Sequence, residues 1–377
     1  MKIGIDARLW SESGVGRYIR NLVNGIDEQE LKKPTNHYTI YLLQKDFDSV
    51  SFKSDSFTKK VLDIRWHSIK EQLSVSKQLK KENFDLVHFP YFSIPLSYTD
   101  PFVITIHDLI IKRFPTGKAS TLPGPMYKLK HVLYNKILEH GIYKSQTILV
   151  PSEFVKKDIL HSYDIPEEKI VITYEGVDES FTKPEVEVPR VKDLQYFLYV
   201  GNAYPHKNIE FLIEGFEYLV NNNSKYIQTH LILVGKKDYF YERIQKEISP
   251  SSNIVILDTI SDSELAYLYS HAEAVVSASK SEGFGLPLLE ALKTKSLVLC
   301  SDIPIFKEIC GKAAIYFNNT KVESLADAFR TVLNMSPQDK KRMISLGTSQ
   351  IKKFSWDTMV HQTINTYESS NSVRSGK

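Results

Sequence analysis

Glu282 and Glu290 bracket a bend containing Gly283, Gly285 and Pro287 in the stretch EGFGLPLLE. Both glycines can take positive φ, so the backbone can turn sharply and present its N–H groups. Pro287 suits the first turn of a helix. That helix would aim its positive end, with the N–H groups of Phe284, Gly285 and Leu286, at an anion, most simply a diphosphate. Glu290, placed by the sequence in the first helical turn, leans back toward the N-terminus. A carboxylate there matches the paired hydroxyls of a ribose, and Glu282 before the bend could meet the hydroxyls of a second sugar. A nucleotide-sugar offers those groups in that order. The plainer reading makes Glu290 a complement to the helix dipole and Glu282 a solvated acid. The combination of Gly-x-Gly, Pro and two acids at this spacing outweighs it.

Other residues could join this chemistry. His107 closes the strand-like run FVITIHD, and Asp108 beside it would either orient it or cap the next turn. In GNAYPHKN, Lys207 follows a loop and opens a helix, which sets an ammonium where a diphosphate could lie; the bland alternative is a solvated lysine. Gly14 and Gly16 in SGVGRY form a tight loop feeding a helix that can approach phosphate and sugar. The dinucleotide fingerprint is incomplete there, because Ile19 stands where its third Gly belongs. The acidic triplet DFD (46–48) reads as a solvated turn. No His/Cys/Asp/Glu group has metal-ligand spacing, so no metal or other cofactor is expected.

These residues need a scaffold. Apolar runs at 37–43, 84–90, 102–108 and 147–152 alternate with amphipathic stretches, after an opening strand KIGIDA and a helix GVGRYIRNLVNGI. The pattern restarts with runs at 196–202, 229–235, 253–257, 274–279 and 296–301. It predicts an α/β fold of two units, each with a helix-covered parallel sheet. A linker-like seam lies at 182–193, TKPEVEVPRVKD. Sites in such sheets lie beyond the carboxyl ends of the strands, so a cleft between the units would collect the residues named above. SDSELAYLY (261–269) carries a capping box, Ser261 with Glu264, that starts a helix. The closing SSNSVRSGK is expected to fray.

At 377 residues the chain suits two domains. A net charge of +3 is too small to imply nucleic acid. Asp6 and Arg8 rule out a signal peptide at the start, and no apolar run approaches the length of a bilayer span. Two cysteines, Cys300 and Cys310, fit a reducing compartment, and the expectation is a cytoplasmic protein.

The order of these segments resembles the retaining GT-B glycosyltransferases of family four. EGFGLPLLE is similar to the family's Glu-x7-Glu motif. GIDARLW with SGVGRYIRNL, VHFP, VITIHDLIIKRFP, VPSEFVKKDIL, IVITYEGVD and VGNAYPHKNIEFLIEGF follow in the family's order, and FSWDTMVHQTINTY resembles its closing helix. The resemblance covers nearly the whole chain. It implies a Rossmann-like acceptor domain at 1–185 joined by helix 355–377, and a Rossmann-like donor domain at 186–354. It implies His107, Lys207 and Glu282 as catalytic residues. Gly14, Gly16, Asp108, His206, Gly283, Phe284, Gly285, Leu286 and Glu290 would bind the donor. The first Glu of the motif would contact the donor sugar and the second the ribose. One departure stands out: Asn202 occupies the place of a usual Arg, so His206 or another basic residue must supply the second positive charge, or the leaving group is less stabilised.

The implied reaction moves a hexosyl group from a nucleoside diphosphate to an acceptor hydroxyl with retention, without metal. The TIHDL…FP and PHKN segments look most like bacterial mannosyltransferases using GDP-mannose. The partners implied are a nucleotide-sugar donor and a glycan or lipid-linked acceptor. Residues 112–144 carry Lys112, Arg113, Lys118, Lys128, Lys130, Lys136 and Lys144 against the single acid Glu139. Interleaved with them are Leu122, Pro123, Met126, Tyr127, Leu129, Leu133 and Tyr134. Such a helix could rest on the inner face of a membrane or simply cover the sheet. Two other readings share the architecture: a non-hydrolysing sugar-nucleotide epimerase, and a non-catalytic nucleotide-sugar binding protein.

Overall fold

Strand β1 (Lys2–Asp6) buries every residue after Lys2, as a strand covered on both faces must. Around it, β2 (His37–Leu42), β3 (Phe57–Val61), β4 (Leu86–Phe89), β5 (Phe102–Thr105), β6 (Thr147–Val150) and β7 (Ile170–Ile172) complete a parallel sheet. Its order is β3-β2-β1-β4-β5-β6-β7. The computed structural model describes residues 1–113, 124–182, 186–249, 253–258 and 260–375. The chain divides into two compact units, Met1–Glu175 with Ser355–Lys377, and Gly176–Phe354.

In the first unit the helices are α1 (Gly14–Lys32), α2 (Gln44–Phe47), α3 (Ile69–Lys80), α4 (Ile110–Arg113), α5 (Gly124–Lys144) and α6 (Glu153–Ser162). Ser68 and Ser152 cap α3 and α6 by accepting from the N–H groups of Glu71 and Val155. One face of the sheet packs on Tyr18, Ile19, Leu22, Val23 and Ile26 of α1 together with Met359, Val360, Ile364 and Tyr367. The other packs on Val75 and Leu79 of α3, Ile137, Leu138 and Ile142 of α5, and Val155 and Ile159 of α6. Each such fully buried aliphatic side chain contributes about 1.5–3 kcal/mol.

The second unit repeats the plan with β8 (Gln195–Val200), β9 (Thr229–Val234), β10 (Ile254–Leu257), β11 (Ala274–Ser277), β12 (Val298–Ser301) and β13 (Ala314–Phe317), ordered β10-β9-β8-β11-β12-β13. Its helices are α7 (Ile209–Asn221), α8 (Tyr239–Glu247), α9 (Asp262–His271), α10 (Leu286–Lys293), α11 (Pro304–Cys310), α12 (Val322–Leu333) and α13 (Pro337–Ile351). The Ser261–Glu264 capping box is present at the start of α9. The last helix, α14 (Trp356–Ser375), returns to the first unit. It runs to Ser375, into the segment expected to fray, and its Val360 lies so close to Gly25 that a Cβ there would meet it at 2.6 Å.

In both sheets the strand order reverses beside the first strand, between β1 and β4 and between β8 and β11. The crevice outside the carboxyl ends at such a reversal is where α/β sheets bind ligands. At the end of β1, Arg8 is wholly buried. Its guanidinium donates to Asp6 at 2.6 and 2.8 Å, to Glu71 at 2.7 Å and to the Ile64 carbonyl at 2.8 Å. The DFD turn differs from expectation: Asp46 belongs to the short α2, is buried, and accepts a hydrogen bond from Ser11.

Candidate active site

Lys207 and Glu282 reach each other from the segments that leave β8 and β11, the two strands flanking the reversal. The Lys207 ammonium donates to both Glu282 oxygens, at 2.6 and 2.8 Å, and Ser279 donates to Oε1 at 2.7 Å. Burial presses the Glu282 carboxyl upward, but the Lys207 charge and the hydrogen bonds from Lys207 and Ser279 outweigh it. The group therefore sits below the usual carboxylate range. It is an anion at neutral pH.

The two segments are stitched together by their backbones. The Lys280 N–H donates to the His206 carbonyl at 2.8 Å. Asn208 donates to the Asn319 carbonyl at 3.1 Å, and Asn319 in turn to the Ser279 carbonyl at 3.0 Å. Lys207 ends a short 3-10 turn, Pro205–Lys207, rather than opening α7 itself. Asn208 caps α7 in the left-handed conformation, φ 60°. Ser279, Asn208 and Asn319 are additions that the motifs do not single out. Ser279 stands three residues before Glu282 at a strand end, which is a usable signal; Asn319 arrives from beyond β13 with no local signal.

His206 lies beside Lys207 but does not supply a second positive charge. Burial, then the Lys207 charge, push it down to about 4 against the pull of Glu282, which leaves a neutral imidazole at neutral pH. Asn202 shapes its own turn: its carbonyl accepts from Tyr199 at 2.7 Å, and its side chain accepts from the Tyr204 N–H at 3.4 Å.

After Glu282 the chain bends as the glycines predict. Gly285 caps α10 with φ 119°, a conformation that strains any residue with a Cβ. Pro287, which has no N–H, sits in the first turn of α10, and the Leu288 and Leu289 N–H groups both donate to the Gly285 carbonyl, so the donors that face outward belong to the bend before them. Phe284 turns its ring inward against Phe354, with centroids 5.7 Å apart, so only its backbone can serve a ligand. Gly283 is buried in the bend, and Leu286 is the first residue of α10. Glu290 lies one step deeper than expected, beyond the first turn, because α10 begins at Leu286. It is 2 % exposed, and its Oε2 accepts from the Tyr269 hydroxyl of α9 at 2.6 Å.

In the first unit, His107 follows β5. Its Nδ1 lies 3.2 Å from Glu175 Oε1 and its Nε2 2.9 Å from the Pro90 carbonyl. Burial opposes its charged form, yet the Glu175 hydrogen bond and charge, the Pro90 carbonyl and Asp108 raise its pKa overall. Asp108 caps the next turn, accepting from the Ile110 N–H at 2.8 Å. Gly14 and Gly16 stand inside the first turn of α1, not in a loop before it. Gly14 has open space where a Cβ would be, whereas a Cβ at Gly16 would meet the carbonyls of Trp10 and Leu9 at 2.7 and 2.8 Å. Gly16 is thus required by packing, while Gly14 leaves room for a ligand.

Of the basic segment, Lys118, Leu122 and Pro123 lie outside the described residues, as do the side chains of Met126, Tyr127 and Lys128. Arg113 pairs with Asp158, and Lys112 lies 4.3 Å from the centre of the Tyr163 ring, so both serve the fold. Leu129 and Val132 of α5 are exposed. No described helix is long and apolar enough to cross a membrane.

Residues 13–181 match the family model described as Glycosyltransferase Family 4, and residues 182–349 the model described as Glycosyl transferases group 1. The chain is 27% identical over 310 residues to the O-antigen chain mannosyltransferase RfbU of Salmonella typhimurium, across 81% of this chain and 79% of that one. It is 27% identical over 296 residues to the O-antigen chain mannosyltransferase B of Escherichia coli, across 75% and 74%. Among solved structures it is similar to a sucrose-phosphate synthase from Thermosynechococcus elongatus, with TM-score 0.75 and 16% identity over 98% of both chains. A second likeness is to Anabaena Alr3699/HepE in complex with UDP and glucose, TM-score 0.73 and 14% identity over 98% of this chain and 100% of that one.

Proposed function

We propose, for a chain that belongs to the GT-B glycosyltransferases of group 1 and resembles bacterial mannosyltransferases, that it transfers mannose from GDP-mannose to a hydroxyl of a growing polysaccharide or glycolipid, retaining the anomeric configuration. The observation that carries this reading is the Lys207–Glu282 pair at the strand reversal, directly before the Gly285 bend that starts α10. Lys207 and the Gly285 and Leu286 N–H groups at the head of α10 are donors held in place before the reaction, where charge would develop on a departing diphosphate. Glu282 meets the sugar hydroxyls. His107 acts beside the donor sugar, and the departing phosphate takes the proton of the incoming hydroxyl. The relatives' names support mannose, and their O-antigen role supports a polysaccharide acceptor.

The test is release of GDP from GDP-mannose in the presence of a lipid-linked glycan extract, with and without a metal chelator. Acceptor-dependent release that survives chelation is expected. An isomer of the donor formed with no acceptor present would overturn transfer in favour of epimerisation.

Glu290 supplies a separate check. Its carboxylate is held in place by Tyr269, so Glu290→Ala should weaken GDP binding by about one to two powers of ten, the loss of charged hydrogen bonds worth roughly 1.5–3 kcal/mol. Calorimetry giving an unchanged affinity would remove the ribose role.

A further inference from the structure

A neutral imidazole has one N–H and one lone pair. His107 offers its Nδ1 to a carboxylate oxygen of Glu175 and its Nε2 to the carbonyl of Pro90. The carbonyl can only accept, so Nε2 must carry a proton. A carboxylate at Nδ1 also accepts, which asks for a second proton on the ring. Tyr18 packs against the imidazole at 4.8 Å with the ring planes 82° apart, which fixes its orientation.

We infer that Glu175 is a positioning residue: with the Pro90 carbonyl it holds His107 as an imidazolium whose two N–H groups are both engaged within the first unit, so that His107 serves the donor as a fixed positive charge and not as a hydrogen-bond donor. This rests on the transferase reading above.

The groups around the ring agree. Asp108, on the same segment, adds a second negative charge. His88 on β4 is buried, bonded to Tyr367 and Thr105, and pushed down to about 3 by burial and then by His107, so it stays neutral and does not compete for the proton. Tyr18 on α1 is bonded to Thr105. Glu175 comes from the segment after β7 and carries no signal of its own in the sequence beyond its place in YEGVD.

Glu175→Gln keeps the shape and removes the charge. With 15N-labelled histidine and His107→Gln to assign the signal, the wild type should show both His107 ring nitrogens protonated at pH 7. In Glu175→Gln the ring should titrate about one to three pH units lower, the usual effect of removing a nearby opposite charge. With GDP-mannose as donor, the alkaline limb of the kcat profile should move down by the same interval. At pH 7.5 kcat should fall about tenfold with the donor KM unchanged, a smaller loss than removal of a direct donor. A singly protonated His107 in the wild type at pH 7, or the same titration in both proteins, overturns the inference. If the ring behaves as described but no transfer occurs with any nucleotide-sugar, the transferase reading fails and the held imidazolium stands.

Discussion

Lys207→Ala should lower kcat for the proposed glycosyl transfer by two to three powers of ten. Removing one fixed donor from a site of developing negative charge typically costs about 3–4 kcal/mol in the barrier. Here the donor is positioned by both Glu282 oxygens and by a backbone stitched to the next segment. The substitution has a second effect: it strips the counter-ion from a carboxylate that is only 13 % exposed. Glu282 would then drift upward in pKa, because burial already presses it that way. The kcat of Lys207→Ala should therefore also rise more steeply with pH through the acid range than that of the wild type. Glu282→Ala should lose transfer comparably while keeping GDP affinity. A folded Lys207→Ala protein that retains a tenth or more of the wild-type kcat would remove Lys207 from the mechanism.

The largest loss of stability should come from Arg8→Ala. Arg8 is fully buried between Asp6 and Glu71, and Glu71 also accepts from Ser93 and from the His67 N–H. Truncation leaves two buried acids with no cation, a change that typically costs 3–5 kcal/mol, on the order of a third or more of a domain's stability. Urea unfolding followed by a probe in the first unit should show its midpoint fall sharply, with the second unit's transition unmoved. An unchanged midpoint in the first unit would show that water reaches these acids and that the triad is not buried in solution.

The central strands are legible because parallel strands covered on both faces read as unbroken apolar runs, as KIGID and YFLYV do. The strands that the apolar pattern does not reveal, β3, β7 and β13, all lie at sheet edges. β3 is FTKKV, half-exposed and carrying Lys59 and Lys60. Charge at an edge blunts unwanted pairing, and it also erases the hydrophobic signal. In the site, Lys207, Glu282 and the Gly285 bend are visible because their chemistry is written in adjacent residues. Asn319, Glu175 and the Pro90 carbonyl, each from a different strand end, and Tyr269, from α9, are not, since each matters only through what the fold brings near it. The charge state of His206 is not legible either, because its neutrality depends on burial beside Lys207, which residue types alone do not encode.

The return of α14 bears on how the protein is made. Met359, Val360, Ile364 and Tyr367 complete one face of the amino-terminal sheet, and the Tyr367 hydroxyl bonds to buried His88 at 2.6 Å. During synthesis that sheet must wait, with one face covered only in part by α1, until the entire carboxyl-terminal unit has emerged. The half of the chain translated first is then the half that finishes folding last, and its exposed apolar face is the natural client for a chaperone in the interval.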